Sequence, residues 1–321
     1  MGVASFVLRR LGGGLLLLLA LSVLVFALLA ASPGSPVQTL LGTRPATPEL
    51  VNELRRLHHL DEPLVLQYLH WLSDAVRLDF GRSISVQAGT PVADMIYGRM
   101  ALSVQLAVYC LLLVLLLGVP LGVAAGLRRG RTTDRTISLL STVGFGAPVY
   151  ALSVVLLYVF GVALNWFPVY GAGDGFADRI AHLTLPAVAL AIVLSAVVIR
   201  QTRAATLTVM RQDYITFARL RGLSPGRVLF RYVLRNSAPP VVTSAGLLLI
   251  APISAGVFIE QAFSLPGEGS LLLAAVAAKD VPVVQGIALL LGALVVVVNL
   301  LVDLLGFLLD PRIRPHTAGE R

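Results

Sequence analysis

The sequence predicts an all-α integral membrane protein with six transmembrane helices. Three observations carry this expectation. Of 321 residues, 57% are hydrophobic and only 13% are charged, whereas an ordinary soluble domain carries about 25% charged residues. Lipid is a simpler solvent than water for that much apolar surface. The apolar residues also gather into six runs, most of them near the roughly 20 residues that cross a bilayer as a helix. Finally, most arginines collect on one side of these runs while the other side carries mixed or acidic charge, the asymmetry from which membrane orientation is read.

The first span is Val7–Ala31, with Arg9 and Arg10 at its cytoplasmic edge. It exceeds the apolar core of about 7–15 residues in a secretory signal, so it is read as a retained helix. The second span is Ala101–Leu127 and the third Ile137–Leu164, where Gly144, Gly146 and Pro148 suggest close packing and a bend. The fourth, Leu185–Ile199, is the weakest, with only 15 residues. Arg200 and Arg203 must snorkel, or that helix must run on into the cytoplasm. The fifth span is Val241–Phe263 and the sixth Val281–Leu309.

Arg128, Arg129, Arg131, Arg135, Arg203, Arg211, Arg219, Arg221, Arg227, Arg231, Arg235, Arg312 and Arg314 then share one side with Arg9 and Arg10. The positive-inside rule makes that side cytoplasmic and places both termini there. The resulting organisation is a first helix in 1–31, an external helical segment in 32–100, a five-helix core in 101–310 with a cytoplasmic loop at 204–240, and a tail in 311–321.

The external segment carries two helix signals. Thr47 is placed as an N-cap, with Pro48 at the first helical position, Glu49 in the first turn, and Leu50, Val51, Leu54 and Leu57 on one face. A second helix restarts at Pro63, with Val65, Tyr68, Leu69, Leu72 and Val76 as its apolar side. The segment reads as a cap over the outer mouth, a platform for an external partner, or both. Trp166, Phe167 and Tyr170 fall at the interfacial level after the third span. The stretch "EQAFSLPGEGSLLLAAVAAKD" predicts a short re-entrant or surface helix before the sixth span.

Several chemistries are excluded. The net charge of +8 flanks apolar runs and is accompanied by no nucleic-acid motif. The single cysteine, Cys110, permits no intrachain disulfide and is read as a packing residue. The only lysine, Lys279, stands in "AAKD", so the chain lacks a phosphate-binding P-loop. His58, His59 and His70 have no metal-ligand spacing and are read as solvated or packing residues.

Residues 204–240 are the informative loop. A helix is expected at about Gln212–Arg221, stopped by Gly222 as a left-handed terminator. Ser224 is placed to cap a second helix, with Pro225 at its first position. Arg227, Arg231 and Arg235 form a basic stripe, Val228, Leu229, Tyr232 and Val233 supply apolar surface, and Pro239 and Pro240 are expected to end the helix. Such an element can lie among lipid headgroups or in a groove on a cytoplasmic protein.

The loop resembles the cytoplasmic "EAA" loop of ABC importer permeases, in their peptide and nickel branch. The likeness lies in Asp213-Tyr214, Ala218-Arg219, Arg221-Gly222-Leu223-Ser224, Arg227-Val228-Leu229, Leu234-Arg235-Asn236 and Pro240-Val241-Val242. The namesake Glu-Ala-Ala falls on Thr216-Phe217-Ala218, keeping only the last alanine. Outside the loop, "LDEPLVLQYLHWLSDAVRLDFGRS" (60–83), "GTPVADMIYGRMALSVQLAV" (89–108) and "FPVYG" (167–171) resemble the first permease of dipeptide and oligopeptide importers.

The resemblance implies a type I ABC importer permease architecture and a non-catalytic translocation subunit in the bacterial inner membrane. It implies a second homologous permease, two cytoplasmic ATPases carrying ATP and Mg, an external substrate-binding protein, and no cofactor on this chain. Asp213, Tyr214, Ala218, Arg219, Leu220, Arg221, Gly222, Leu223, Ser224 and Arg227 would couple the chain to the ATPases. Peptides are the implied cargo, with nickel chelate, glutathione or haem as alternatives.

Gln105, Ser141, Thr142, Ser195, Glu260, Gln285, Asn299 and Asp303 are polar positions in or near the spans. Ser141, Ser195, Gln285 and Asn299 are candidates for a translocation path, though helix–helix hydrogen bonding is the favoured role for Gln105, Ser141 and Asn299. Glu260 and Asp303 lie near span ends, where they can reach water. A secondary transporter would need mid-membrane charge relays and an internal repeat. An intramembrane protease would need a Ser–His or paired-Asp arrangement in the spans. The sequence displays neither set.

Overall fold

The computed structural model describes residues 3–31, 47–49, 52, 55 and 61–309. Its helices are α1 (Val3–Ala30), α2 (Leu64–Val76), α3 (Val92–Leu127), α4 (Thr132–Gly146), α5 (Val149–Leu156), α6 (Gly175–Met210), α7 (Asp213–Leu220), α8 (Pro225–Val228), α9 (Arg235–Leu247), α10 (Ile250–Ala262), α11 (Glu268–Ala277) and α12 (Val281–Leu309). π-Helical turns extend α5 through Leu157–Ala163 and join α8 to α9 through Leu229–Leu234. Among the described residues the only β-type pairing is a bridge between Arg82 and Pro91. The chain divides into two compact units, one built on Val104–Leu265 with the chain from Val298, the other on Phe6–Ser103 and Pro266–Val297.

Four helices hold segments long and apolar enough to cross a membrane: Val7–Leu28, Val92–Leu127, Gly175–Met210 and Val281–Leu304. α4 and α5 supply a fifth only if taken as one span, because they are bent by 101°. The bend expected at Gly146 and Pro148 is therefore a full break. Proline forces the residue before it out of the helical region, and Ala147 accordingly adopts φ −75° and ψ 130°.

The expected fifth span is also divided, into the 13-residue helices α9 and α10. Pro252 has no N–H to offer the Leu248 carbonyl, so the regular ladder lapses at Leu248 and Leu249. Pro239 and Pro240, expected to stop a helix, instead lie inside α9. Just upstream, Asn236 Nδ2 and Ser237 Oγ donate to the Tyr232 and Val233 carbonyls, each at 2.7 Å. The fourth span, which looked short, is part of a 36-residue helix.

In the first unit, α3 and α6 meet along a close seam. A Cβ at Gly118 would stand 2.9 Å from Val198 Cβ, one at Gly122 2.6 Å from Thr202 Cβ and 2.8 Å from the Ile199 carbonyl, and one at Gly126 2.7 Å from Thr206 Cβ. Glycine every fourth residue lets the two backbones approach, as small residues do between membrane helices. Because the pairs advance together, α3 and α6 run in the same direction. α4 runs the opposite way, with Asp134 beside Arg203 and Gly144 beside Ile192. Cys110 is fully buried, as a packing residue should be. Glu260, expected to reach water, is instead buried at 2% exposure.

In the second unit, α2 packs on α1. Ser22 Oγ lies 2.8 Å from the Tyr68 hydroxyl, and the Phe26 ring centre is 5.5 Å from that of Tyr68 and 5.9 Å from that of Trp71. The inward face of α2 is therefore Tyr68, Trp71, Leu72 and Ala75. Val65, Leu69 and Val76, assigned to it by periodicity, are exposed. His70 pairs with Glu62, Nδ1 to Oε2, at 3.3 Å. Thr47 precedes a helical Pro48 and Glu49 as expected, whereas Leu50, Val51, Leu54, Leu57, His58 and His59 lie outside the described residues.

The 79–92 turn is pinned by Asp280. Its Oδ2 accepts the Ser83 hydroxyl at 2.6 Å and the N–H groups of Ile84, Ser85 and Val86 at 3.1, 2.9 and 2.9 Å. Burial pushes the Asp280 carboxyl upward, but the Ser83 hydroxyl and the three N–H groups outweigh it and hold the pKa below the usual carboxylate value. Beneath it Phe80, Val92, Ile96, Leu271, Ala275 and Ile287 form an apolar core.

Candidate functional site: the 213–234 hairpin

The hairpin belongs to the first unit and grows directly from α6. After Met210, Gln212 turns extended at φ −78° and ψ 143° and α7 begins. Asp213 stands in the first turn of α7 and Arg219 in its last, each matched in sign to the helix dipole. Ile215 and Ala218, three residues apart, are buried. They join Val209, Val228 and Val233 in a small core edged by Met210, Leu223, Leu229 and Tyr232. The Tyr214 and Tyr232 rings stack with centres 6.3 Å apart.

Gly222 closes α7 with φ +73°. Its N–H donates to the Arg219 carbonyl at 2.9 Å, and the Leu223 N–H donates to that of Ala218 at 3.2 Å. These are the two bonds of a Schellman motif, and Leu223 packs against the small core that contains Ala218. A Cβ at Gly222 would meet nothing within 4 Å, so glycine is needed for its backbone angle and not for space. Ser224 occupies the N-cap position of α8 in extended conformation, with Pro225 next. Its hydroxyl makes no cap hydrogen bond; its carbonyl accepts the Val228 N–H at 3.0 Å.

The expected coupling residues therefore split into two groups. Ala218 and Leu223 are internal and set the hairpin's shape. Asp213, Tyr214, Arg219, Leu220, Arg221, Gly222, Ser224 and Arg227 are exposed. Arg227, Arg231 and Arg235 also remain exposed despite the intervening π-helical turns. Phe217 was not singled out by the sequence. It is 64% exposed and one turn from Leu220, which is 78% exposed. The signal for it was a large apolar residue at i−3 from Leu220, off the core-facing positions.

α6 carries the hairpin on a braced stem. Arg203 donates from Nε and Nη2 to Asp134 Oδ1 and Oδ2 at 2.6 and 2.9 Å, and Gly130 N–H donates to Asp134 Oδ2 at 2.9 Å. This fork-to-fork pair ties α6 to the start of α4. Arg200 does not snorkel past the end of a short span. Its guanidinium lies 4.8 Å from the Phe145 ring centre. Helical side chains lean toward their own N terminus, so on antiparallel α6 and α4 these two lean toward each other.

Ser141 and Ser195 are buried and donate to carbonyls of their own helices, Ser138 at 2.9 Å and Ile192 at 3.1 Å. Asn299 is half-buried, and Gln285 is buried within the second unit. No cluster of metal-ligating side chains occurs among the described residues.

Residues 118–315 match the family model of the binding-protein-dependent transport system inner membrane component, and residues 3–107 match the model of the N-terminal part of such membrane components. The chain is 35% identical over 317 residues to a probable peptide ABC transporter permease protein of Sinorhizobium fredii, covering 98% of this chain and 100% of that one. It is 35% identical to the oligopeptide transport system permease protein AppB of Bacillus subtilis, covering 97% and 99%. It is 34% identical to the di/tripeptide transport system permease protein DppB of Pseudomonas aeruginosa, covering 97% and 98%. A chain of the inward-facing MetNI methionine ABC transporter shares the fold at 17% identity, with a TM-score of 0.58 over 67% of this chain and 96% of that one.

Proposed function

Since this chain belongs to the binding-protein-dependent transport system inner membrane component family, we propose that it is the permease subunit of an ABC importer that moves peptides across the membrane. It carries no ATPase of its own; force comes from partner subunits. The observation that carries this reading is the hairpin: a rigid turn with its own core, whose outer side shows Phe217 and Leu220 among arginines. Exposed apolar side chains ringed by charge suit a groove on a protein.

The assembly we infer has a second homologous permease, two ATPase chains on the arginine-rich side and a substrate-binding protein on the other. Both termini lie on the arginine-rich, cytoplasmic side. The parallel run of α3 and α6, with α4 antiparallel, supports that threading. Phe217, Leu220, Arg221, Ser224 and Arg227 contact the ATPase, while Gly222, Ala218 and Leu223 hold the turn rigid. Movement of the hairpin passes to α6 through Val209, to α3 through the glycine seam and to α4 through Asp134. Such a lever works only because the ATPase binds its two positions with different free energies. Ser141, Ser195, Gln285 and Asn299 remain our candidates for the path.

Gly222→Val tests the lever. A non-glycine residue at that φ costs about 1–2 kcal/mol, so the turn should reshape while the protein still inserts. In proteoliposomes holding the whole transporter, ATP hydrolysis should persist and peptide uptake should fall. Normally coupled uptake would refute the assignment.

A further inference from the structure

A cleft of about 390 Å³ opens at the arginine-rich end of α6, lined by Arg129, Arg203, Leu207, Thr208, Arg211 and Gln212 among others. Asp134, which contacts Arg203 of this lining, is already occupied by that guanidinium and by the Gly130 N–H. Among the described residues no carboxylate forms an ion pair with Arg129 or Arg211. Two guanidinium groups therefore line the cleft without an ion-pair partner among the described residues. Their fork of N–H donors suits the oxygens of a phosphate better than a point charge does.

The seam fixes the depth of this cleft. Gly126 of α3 stands against Thr206 of α6, and the apolar run of α3 ends at Leu127, immediately before Arg128 and Arg129. Arg129 and Arg211 thus lie within about one to two turns of the end of the hydrocarbon-matched stretch, at headgroup level. On α3, just before Arg129, Leu121 and Leu127 are exposed at 39% and 42%, and Leu207 adds an apolar wall. A basic cleft with an apolar wall at Leu207, at the end of helices with exposed apolar surface, matches an amphiphile, whereas an acidic protein surface needs no apolar wall.

We propose that this cleft holds the phosphate of an anionic phospholipid headgroup, gripped by Arg129 and Arg211. Lipid held there would brace the stem of the hairpin. The proposal concerns the full chain and does not depend on peptide being the cargo.

The test uses the full-length protein in nanodiscs of phosphatidylethanolamine with a minor proportion of phosphatidylglycerol, read by native mass spectrometry. The wild type should retain one phosphatidylglycerol. The Arg129→Gln/Arg211→Gln variant should retain about thirtyfold less, since each arginine near a membrane surface contributes a factor of about five. The single variants should each lose about fivefold, which keeps the test decisive if the double variant fails to fold. Arg129→Lys/Arg211→Lys should recover part of the retention through charge alone. Equal retention by wild type and glutamine variants would overturn the proposal. So would retention of phosphatidylethanolamine in proportion to its abundance with no preference for phosphatidylglycerol, or displacement of the lipid by inorganic phosphate, which would make the cleft a free-phosphate site.

Discussion

The turn at 79–92 and the hairpin at 213–234 both connect helices, yet they dispose of their polar and apolar groups in opposite ways. In the turn, Asp280 gathers the Ser83 hydroxyl and three consecutive N–H groups onto a carboxylate with no exposure. Its polar groups are spent internally. In the hairpin the backbone is equally well satisfied by the Schellman bonds, but Phe217, Leu220 and Phe230 are left 64%, 78% and 72% exposed. The first arrangement gains stability and offers little to a partner. The second builds its core without its outer side chains, which leaves those available to the partner we propose.

The contrast breaks most sharply at the hairpin. Phe217→Ala/Leu220→Ala should weaken capture of the ATPase chains by at least about a hundredfold, since full burial of each side chain contributes about 1.5–3 kcal/mol. The thermal unfolding midpoint of the purified permease should not move. A lowered midpoint with unchanged capture would reverse the roles assigned to the two regions.

Asp280→Asn should do the converse. It presents a donor to a ring of donors and should cost about 1–3 kcal/mol of stability, read as a lower midpoint, with ATPase capture intact. The wild type also carries a pH signature there. The folded pKa of Asp280 lies below the ordinary 3.8, so its stabilisation is complete above that ordinary value and is lost as the pH falls through the lower folded value. The midpoint of the wild type should drop more steeply on acidification than that of Asp280→Asn. Parallel curves would show that the carboxylate is not the pin.

The smallest effect is expected on α2. Val65→Ser, on a side chain 69% exposed, should change stability by less than about 0.5 kcal/mol. Ala75→Leu, at a residue 3% exposed, should be clearly destabilising by overpacking. The reverse order would restore the apolar face that periodicity suggested.

Local signals in the sequence were strong where chemistry is local. The first, second and sixth spans were legible as long apolar runs, and α12 begins and ends at the expected Val281 and Leu309. The hairpin was legible because Gly222, Ser224 and Pro225 each act on their own backbone. The docking surface we propose for it was only half legible: Leu220 and the arginines were assigned, but Phe217 looked like a departure from the family's Glu-Ala-Ala. The 101° break at Ala147 was underestimated, because Gly146 and Pro148 announce a bend without saying how far neighbours allow it to go.

Sequence alone therefore determined the solvent of this protein, the position of most helices and the stopping point of α7 in the hairpin, since hydropathy, proline and a left-handed glycine operate within a few residues. Tertiary structure decided which faces meet. Asp134 and Arg203 are 69 residues apart, and Ser83 and Asp280 are 197 apart. No periodicity links such pairs. They become partners only when a buried carboxylate must find compensation and tertiary packing brings a distant donor to it.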